Sequence, residues 1–154
     1  MPPRWAVLAP YFYQPGGAEQ FAHLVARELD AAIYCGETKP AVFDAYPGSE
    51  ARVRPRPPTV RRTRINTAER VLRNALRRDV DADLLLLSGN YAMYRALFDR
   101  RPTLAYLHAP PGDPYGLEGR AARKATALVA NAPAVAEAAA RVYRRAPDAV
   151  VPPP

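Results

Sequence analysis

Leu8-Ala9-Pro10-Tyr11-Phe12-Tyr13-Gln14-Pro15-Gly16-Gly17-Ala18-Glu19 carries the strongest fold signal in the chain. It leaves a short apolar run, residues 4–10, that reads as a β-strand. It crosses a loop over residues 11–17 and enters a segment, residues 17–29, in which Phe21, Leu24, Val25 and Leu29 fall on one side of a helix. Strand, glycine turn and helix make the opening of a βαβ unit. A glycine pair at that position tolerates φ > 0 and lets a ligand approach the backbone. The helix N-terminus adds free N–H groups and a partial positive charge, which suit a diphosphate. A tight turn without a ligand would use the same two residues, and the pair alone does not separate these readings.

Outward from this stretch, apolar segments with strand character alternate with helical patterns. Residues 31–35 read as a second strand with Gly36 as its stop. Prolines break residues 37–65, which are expected to hold one short strand around residues 41–43. A helix is predicted from Asn66, with Glu69 three residues on at capping-box spacing. The leucine run at 83–87 reads as a fully buried strand. Then follow a helix over 90–99, a strand over 102–108, a Pro/Gly loop over 109–116 and a short helix over 117–124. A buried strand over 127–131, an alanine-rich helix over 133–145 and a last strand from Val150 complete the pattern. This alternation specifies an α/β fold, a Rossmann-like mainly parallel sheet flanked by helices.

With 154 residues the chain is expected to be one domain with a sizeable core. Its 49% apolar and 24% charged residues are ordinary for a globular protein. No apolar run approaches the roughly 20 residues that span a bilayer, and the N-terminal run is too short for a secretory segment. A cytoplasmic location is the expectation. Cys35, the one cysteine, excludes an intramolecular disulfide and a thiolate metal cluster, and reads as a small buried hydrophobe.

In open α/β sheets, ligands bind outside the carboxyl ends of the strands. Tyr11, Tyr13, Gly16, Gly17 and Glu19 follow the first predicted strand. Ser88, Gly89 and Asn90 follow the leucine strand, His108, Pro110, Pro111 and Asp113 the next, and Asn131 the one after. This edge is the candidate cleft. A neutral imidazole at His108 would accept or donate a proton or hydrogen bond near pH 7. A satisfied structural histidine at a strand end is equally consistent. His23 falls on the polar side of its helix and reads as a solvated bystander. Asp81-Ala82-Asp83 has the form of an Asp-x-Asp metal motif, but it precedes its strand and so lies at the edge away from the cleft. No metal site is expected, and two histidines with one cysteine make no zinc cluster.

Residues 8–19 resemble the first strand, loop and helix start of family 4 glycosyltransferases. Tyr106-Leu107-His108-Ala109-Pro110-Pro111 is similar to that family's strand ending in a His-Thr-Pro-Pro type sequence. Leu128-Val129-Ala130-Asn131-Ala132 resembles its Val-Ala-Asn-Ser stretch, and Val150-Val151-Pro152-Pro153 its strand leaving the N-terminal domain. Four motifs in order span nearly the whole chain. The resemblance implies one half of a GT-B fold, residues 1–154 being the N-terminal, acceptor-side domain, without the C-terminal donor-binding domain that grips the nucleotide. It implies metal-independent, retaining sugar transfer from a nucleotide-sugar substrate to a glycan or lipid-linked acceptor, with no other cofactor, once a donor-binding domain complements the chain. Gly16 and Gly17 would approach the donor diphosphate and His108 the reacting sugar. Tyr11, Tyr13, Asn90, Asp113 and Asn131 would shape the acceptor pocket. Ala132 stands where serine is usual, and Gly112 where an arginine commonly follows the two prolines.

The net charge is +7 and nearly all the positive charge is arginine. Arg52, Arg54, Arg56, Arg61, Arg62 and Arg64 precede a helix bearing Arg70, Arg73, Arg77 and Arg78. A solvated face is one reading. Another is an anion-facing surface at Arg61, Arg62, Arg64, Arg70, Arg73 and Arg77, docking the chain at the inner face of a membrane with about 1 kcal/mol per arginine near anionic headgroups. Nucleic acid would also attract the arginines, but no binding motif accompanies them and aromatics are not interleaved with them. A non-catalytic Rossmann-like module docking on membrane, nucleic acid or protein through this surface is therefore the alternative function.

Overall fold

The computed structural model describes residues 1–57, 63–112 and 116–154, with the backbone alone for residues 63–67. Seven strands form one sheet: β1 (Trp5–Ala9), β2 (Ala32–Cys35), β3 (Val53–Pro55), β4 (Leu84–Ser88), β5 (Thr103–Leu107), β6 (Ala127–Ala130) and β7 (Ala149–Val150). Their order is β3-β2-β1-β4-β5-β6-β7, and every neighbouring pair is parallel. The helices are α1 (Gly17–Glu28), α2 (Pro40–Ala45), α3 (Thr63–Ala75), α4 (Asn90–Met93), α5 (Leu117–Lys124) and α6 (Pro133–Tyr143). A 3-10 helix, Tyr94–Leu97, continues α4. The sheet is the Rossmann-like one that the alternation of segments predicted.

The central strands are apolar on both faces because helices cover both faces. Val7, Ile33, Leu86 and Tyr106 point towards α1, where Phe21, Ala22 and Ala26 meet them. Leu8, Leu85, Leu87, Leu107 and Leu128 point the other way, against Met93 of α4, Ala121 and Ala122 of α5, and Val135 and Ala139 of α6. Each leucine so buried contributes about 2 kcal/mol. The alanines let the helices approach the sheet closely. From β1 the chain runs outward to β3, returns, and adds β4 on the other side of β1. The strand order reverses there, and such a switch point opens a crevice at the carboxyl edge.

Three local expectations fail. The strand expected around residues 41–43 is helix α2, with Pro40 in its first turn and Val42 buried. Proline preorganises a helix start, and this outweighs the β-propensity of Val42 and Phe43. The strand that pairs with β2 is instead β3, which needs only one partner and so accommodates Pro55. Helix α3 begins at Thr63, so Asn66 is inside it rather than at its cap, and Glu69 pairs with Arg73 at 2.8 Å. The helix expected over residues 90–99 divides into α4 and the 3-10 turn, and this winding buries Arg95.

The arginine-rich stretch is the larger correction. Arg70 and Arg77, assigned to an anion-facing surface, are buried at 8% and 3% exposure. Arg77 donates through Nε and Nη2 to Asp79 and through Nη1 to the carbonyls of Arg54 and Cys35. Arg70 pairs with Glu37 at 2.6 Å, and its guanidinium lies 4.8 Å from the Tyr11 ring centroid. Arg73 is partly exposed and held by Glu69. Arg61, Arg62 and the side chain of Arg64 lie outside the described residues. Asp81 and Asp83 both pair with Arg4 at the amino edge of the sheet. His23 is no bystander: its ring stacks on Tyr46 with centroids 5.4 Å apart.

Candidate functional site

A cleft of about 530 Å³ opens at the carboxyl edge over β1, β4 and β5, at the switch point. Tyr11, Ala18 and Glu19 line one side, Ser88, Gly89, Asn90, Tyr91 and Tyr94 another, and His108 to Pro110, Gly112 and Glu118 the floor and far wall. Each group arrives there because its strand ends there.

Gly16 and Gly17 sit at the start of α1, beside Ala18 and Glu19. Neither has positive φ; Gly16 is extended at φ −173°. The glycines are therefore not required by backbone conformation. A Cβ on Gly17 would meet nothing within 4 Å, and one on Gly16 would meet only the Glu19 carboxylate at 2.9 Å. Both phenolic bonds of Tyr46 hold this turn. The Gly16 N–H donates to Tyr46 Oη (3.1 Å), and the hydroxyl donates to the Gly16 carbonyl (3.0 Å). Burial raises the Glu19 carboxyl above its ordinary value.

His108 follows β5 and is walled by aromatic rings, Phe21 at 5.1 Å and Tyr106 at 4.9 Å between centroids. Burial lowers its pKa to about 4, so the imidazole is neutral at pH 7. Its Nε2 lies 2.9 Å from Ser88 Oγ. Gly89, at φ +90°, turns the chain from β4 into α4 immediately beside the ring, and a Cβ there would stand 3.6 Å from His108 Cδ2.

The other residues expected here divide. Tyr11 and Asn90 line the cleft with His108. Asn90 Nδ2 donates to the carbonyls of Ala109 and Pro110 (3.3 and 3.2 Å), and Asn131 Nδ2 donates to the His108 carbonyl (2.9 Å). Both asparagines thus brace the segment after β5, and Asn131 acts from behind the cleft wall. Tyr13 lies outside the cleft, edge-on to Tyr11 at 5.8 Å and under Lys39 and Arg70. Asp113 lies outside the described residues.

Several contributors escape a linear reading. Tyr46 reaches Gly16 across 30 residues, with nothing local to announce it. Glu118, buried, accepts from the Gly112 N–H at 3.2 Å and from the Tyr143 hydroxyl at 2.6 Å, tying the loop after β5 to α5 and α6. Tyr91 stands 47% exposed at the cleft mouth, edge-on to Tyr11 at 6.1 Å.

The fold is shared with solved structures of HepE from Anabaena. The complex with UDP superposes with a TM-score of 0.66 at 20% identity, over 96% of this chain and 43% of that one. The complexes with UDP and glucose and with UDP-glucose give 0.62 and 0.61 at 19% identity, over 91% of this chain and 41% and 40% of theirs. The chain therefore spans about two fifths of the length of these relatives. No curated protein matches it in sequence. The family model for Glycosyltransferase Family 4 matches residues 15–154, from the loop before Gly16 through β7, and the chain belongs to that family.

Proposed function

We infer that this chain forms the acceptor-side wall of a sugar-transfer site and works opposite a donor-binding domain. The observation that supports this best is the common cleft. Ala18 and Glu19 in the first turn of α1, next to Gly16 and Gly17, and the neutral His108 border the same 530 Å³ volume at the switch point of the sheet. In this reading Gly16 and Gly17 admit the diphosphate of a nucleotide-sugar to the helix N-terminus. His108 contacts the transferred or accepting sugar. Tyr11 and Asn90 shape the acceptor side, Asn90 and Asn131 hold the loop after β5, and Tyr13 contributes only by packing edge-on against Tyr11. UDP and UDP-glucose in the HepE complexes make a uridine diphosphate sugar the first donor to try. The transfer is taken to be retaining and metal-independent, and the acceptor a glycan or lipid-linked hydroxyl.

The reading as a docking module rests on the arginine surface, which loses Arg70 and Arg77 to internal bonds. Among the described residues no helix is long and apolar enough to cross a membrane. Peripheral attachment to anionic lipid is a property to test alongside sugar transfer.

The test is calorimetric titration of the chain with UDP and UDP-glucose, alone and mixed with a candidate donor-binding domain. Binding that appears or tightens in the mixture, and weakens with Gly16→Val, is the expected result. No binding in either condition would sink the reading. Salt-sensitive capture by anionic liposomes, unchanged in Gly16→Val and His108→Ala, would favour the docking module.

A further inference from the structure

Ser88 belongs to no motif considered above, yet it is the one hydrogen-bonding partner of the His108 ring among the described residues. It ends β4, and its register partner on β5 is Tyr106, two residues before His108. With the period-two alternation of strands, Ser88 and His108 extend to the same face as Leu86 and Tyr106, the face covered by Phe21. The hydroxyl is buried at 6% exposure and lies 2.9 Å from Nε2.

A neutral imidazole has one donor and one acceptor nitrogen, and its tautomer follows from the hydrogen bond one of them makes. Two arrangements satisfy the observed distance. If Nε2–H donated to Ser88 Oγ, the hydroxyl hydrogen would need another acceptor, and none is within bonding distance among the described residues. If Ser88 donates to Nε2, its hydrogen is satisfied and the ring proton moves to Nδ1. Each arrangement leaves one donor without a protein partner, the Ser88 hydroxyl in the first and Nδ1–H in the second. Ser88 is only 6% exposed, whereas Nδ1 is not among the buried unpaired atoms and can meet water, so the second is favoured. The Cδ2–Nε2 edge of the ring faces the Gly89 turn. The Nδ1 edge is turned away from that contact, makes no bond within the described residues and is not among the buried unpaired atoms, so it is open to water or a ligand.

We propose that Ser88 is a positioning residue which fixes His108 as the Nδ1–H tautomer, so that the imidazole meets a ligand as a hydrogen-bond donor. The ligand part of this inference rests on the cleft being the sugar-transfer site; the tautomer does not. A donor at Nδ1 suits an oxygen that carries or gains negative charge, such as a diphosphate or sugar oxygen. It does not suit removal of a proton from an acceptor hydroxyl, because the one basic nitrogen, Nε2, is engaged by Ser88.

Nitrogen-15 NMR of the labelled full chain at pH 7 reads the tautomer directly. The chain has two histidines, and His23→Gln assigns the signals. The expected spectrum shows His108 protonated at Nδ1 and bare at Nε2. Ser88→Ala should shift it towards the Nε2–H form that free imidazoles of histidine favour, and Ser88→Thr, which keeps the hydroxyl, should restore the original pattern. A purely packing role for Ser88 would move neither nitrogen. Protonated Nε2 in the unaltered chain, or an unchanged tautomer in Ser88→Ala, overturns the proposal whatever the chain binds. The expected tautomer with no response of Nδ1–H to UDP-glucose, with a donor-binding domain present, supports the role of Ser88 and counts against the sugar-transfer reading.

Discussion

The cleft at the carboxyl edge and the arginine-rich region around α3 are the two parts of this chain most heavily marked by polar residues, and the fold treats them in opposite ways. At the cleft, residues from three strand ends border one open volume, and Asn90 Oδ1 has no partner there among the described residues. Around α3 the guanidinium groups of Arg70, Arg77 and Arg95 turn inward, while Arg54, Arg56 and Arg78 stay exposed. Arg77 holds Asp79 and two carbonyls; Arg95 bonds the carbonyls of Ala75 and Arg77 and pairs with Asp99 at 2.6 Å. Arg101 adds the carbonyls of Val80 and Ala82 and the same Asp99. Burial works to raise the Asp99 carboxyl, and hydrogen bonds from Arg101 and Arg95 overcome this and hold it well below the usual carboxylate range. Arginine here closes irregular backbone between α3 and β4, supplying donors to carbonyls that no strand or helix satisfies. A positive count in a sequence is thus no measure of a positive surface.

The sharpest way to break this contrast is at Arg95. Arg95→Met should cost about 4 kcal/mol, because it strips a buried carboxylate of one partner and leaves two carbonyls unsatisfied. Denaturant unfolding measures it, and a loss below about 1 kcal/mol would mean the inward arginines are ornamental.

The next largest effect lies on the cleft side. The folded pKa of His108, about 4, is below its ordinary 6.5, so the unfolded chain binds the proton more tightly. Stability is complete above pH 6.5 and falls as the pH drops towards 4, by up to about 3 kcal/mol. His23 is also lowered by burial and acts with the same sign. His108→Gln should therefore reduce the acid slope of the unfolding free energy, without abolishing it. An unchanged slope would show that His108 is not shielded as the structure has it.

Gly16→Val separates site from scaffold. The extended backbone accepts any residue, and the new side chain displaces only the flexible Glu19 carboxylate. Stability should change by less than about 1 kcal/mol, while affinity for UDP-glucose in the presence of a donor-binding domain should fall at least roughly tenfold, about 1.4 kcal/mol. Equal losses of both would make the turn structural. Smallest is Arg73→Ala: its pair with Glu69 is an i, i+4 pair partly open to water, and its removal should cost no more than about 0.5 kcal/mol. A larger loss would put Arg73 with the inward arginines.

By itself the sequence determined the sheet and where its ligand edge lies. Apolar runs such as Leu84 to Leu87 are buried on both faces whatever their neighbours, and the residues just after them must emerge together at the carboxyl edge. That argument brought Tyr11, Asn90 and His108 to one place, and the order of four motifs carried the family. It failed between residues 37 and 65 because prolines there mark breaks without saying what lies between them. Only the tertiary structure decided what each polar group does. Glycines 16 and 17 do not adopt positive φ. Tyr46 holds their turn, Ser88 engages His108, and Arg70, Arg77 and Arg95 bond inward. The physical reason is common to all of these. A hydrogen bond or ion pair between residues 18 to 42 positions apart has no periodicity to betray it, since it exists only where two elements meet.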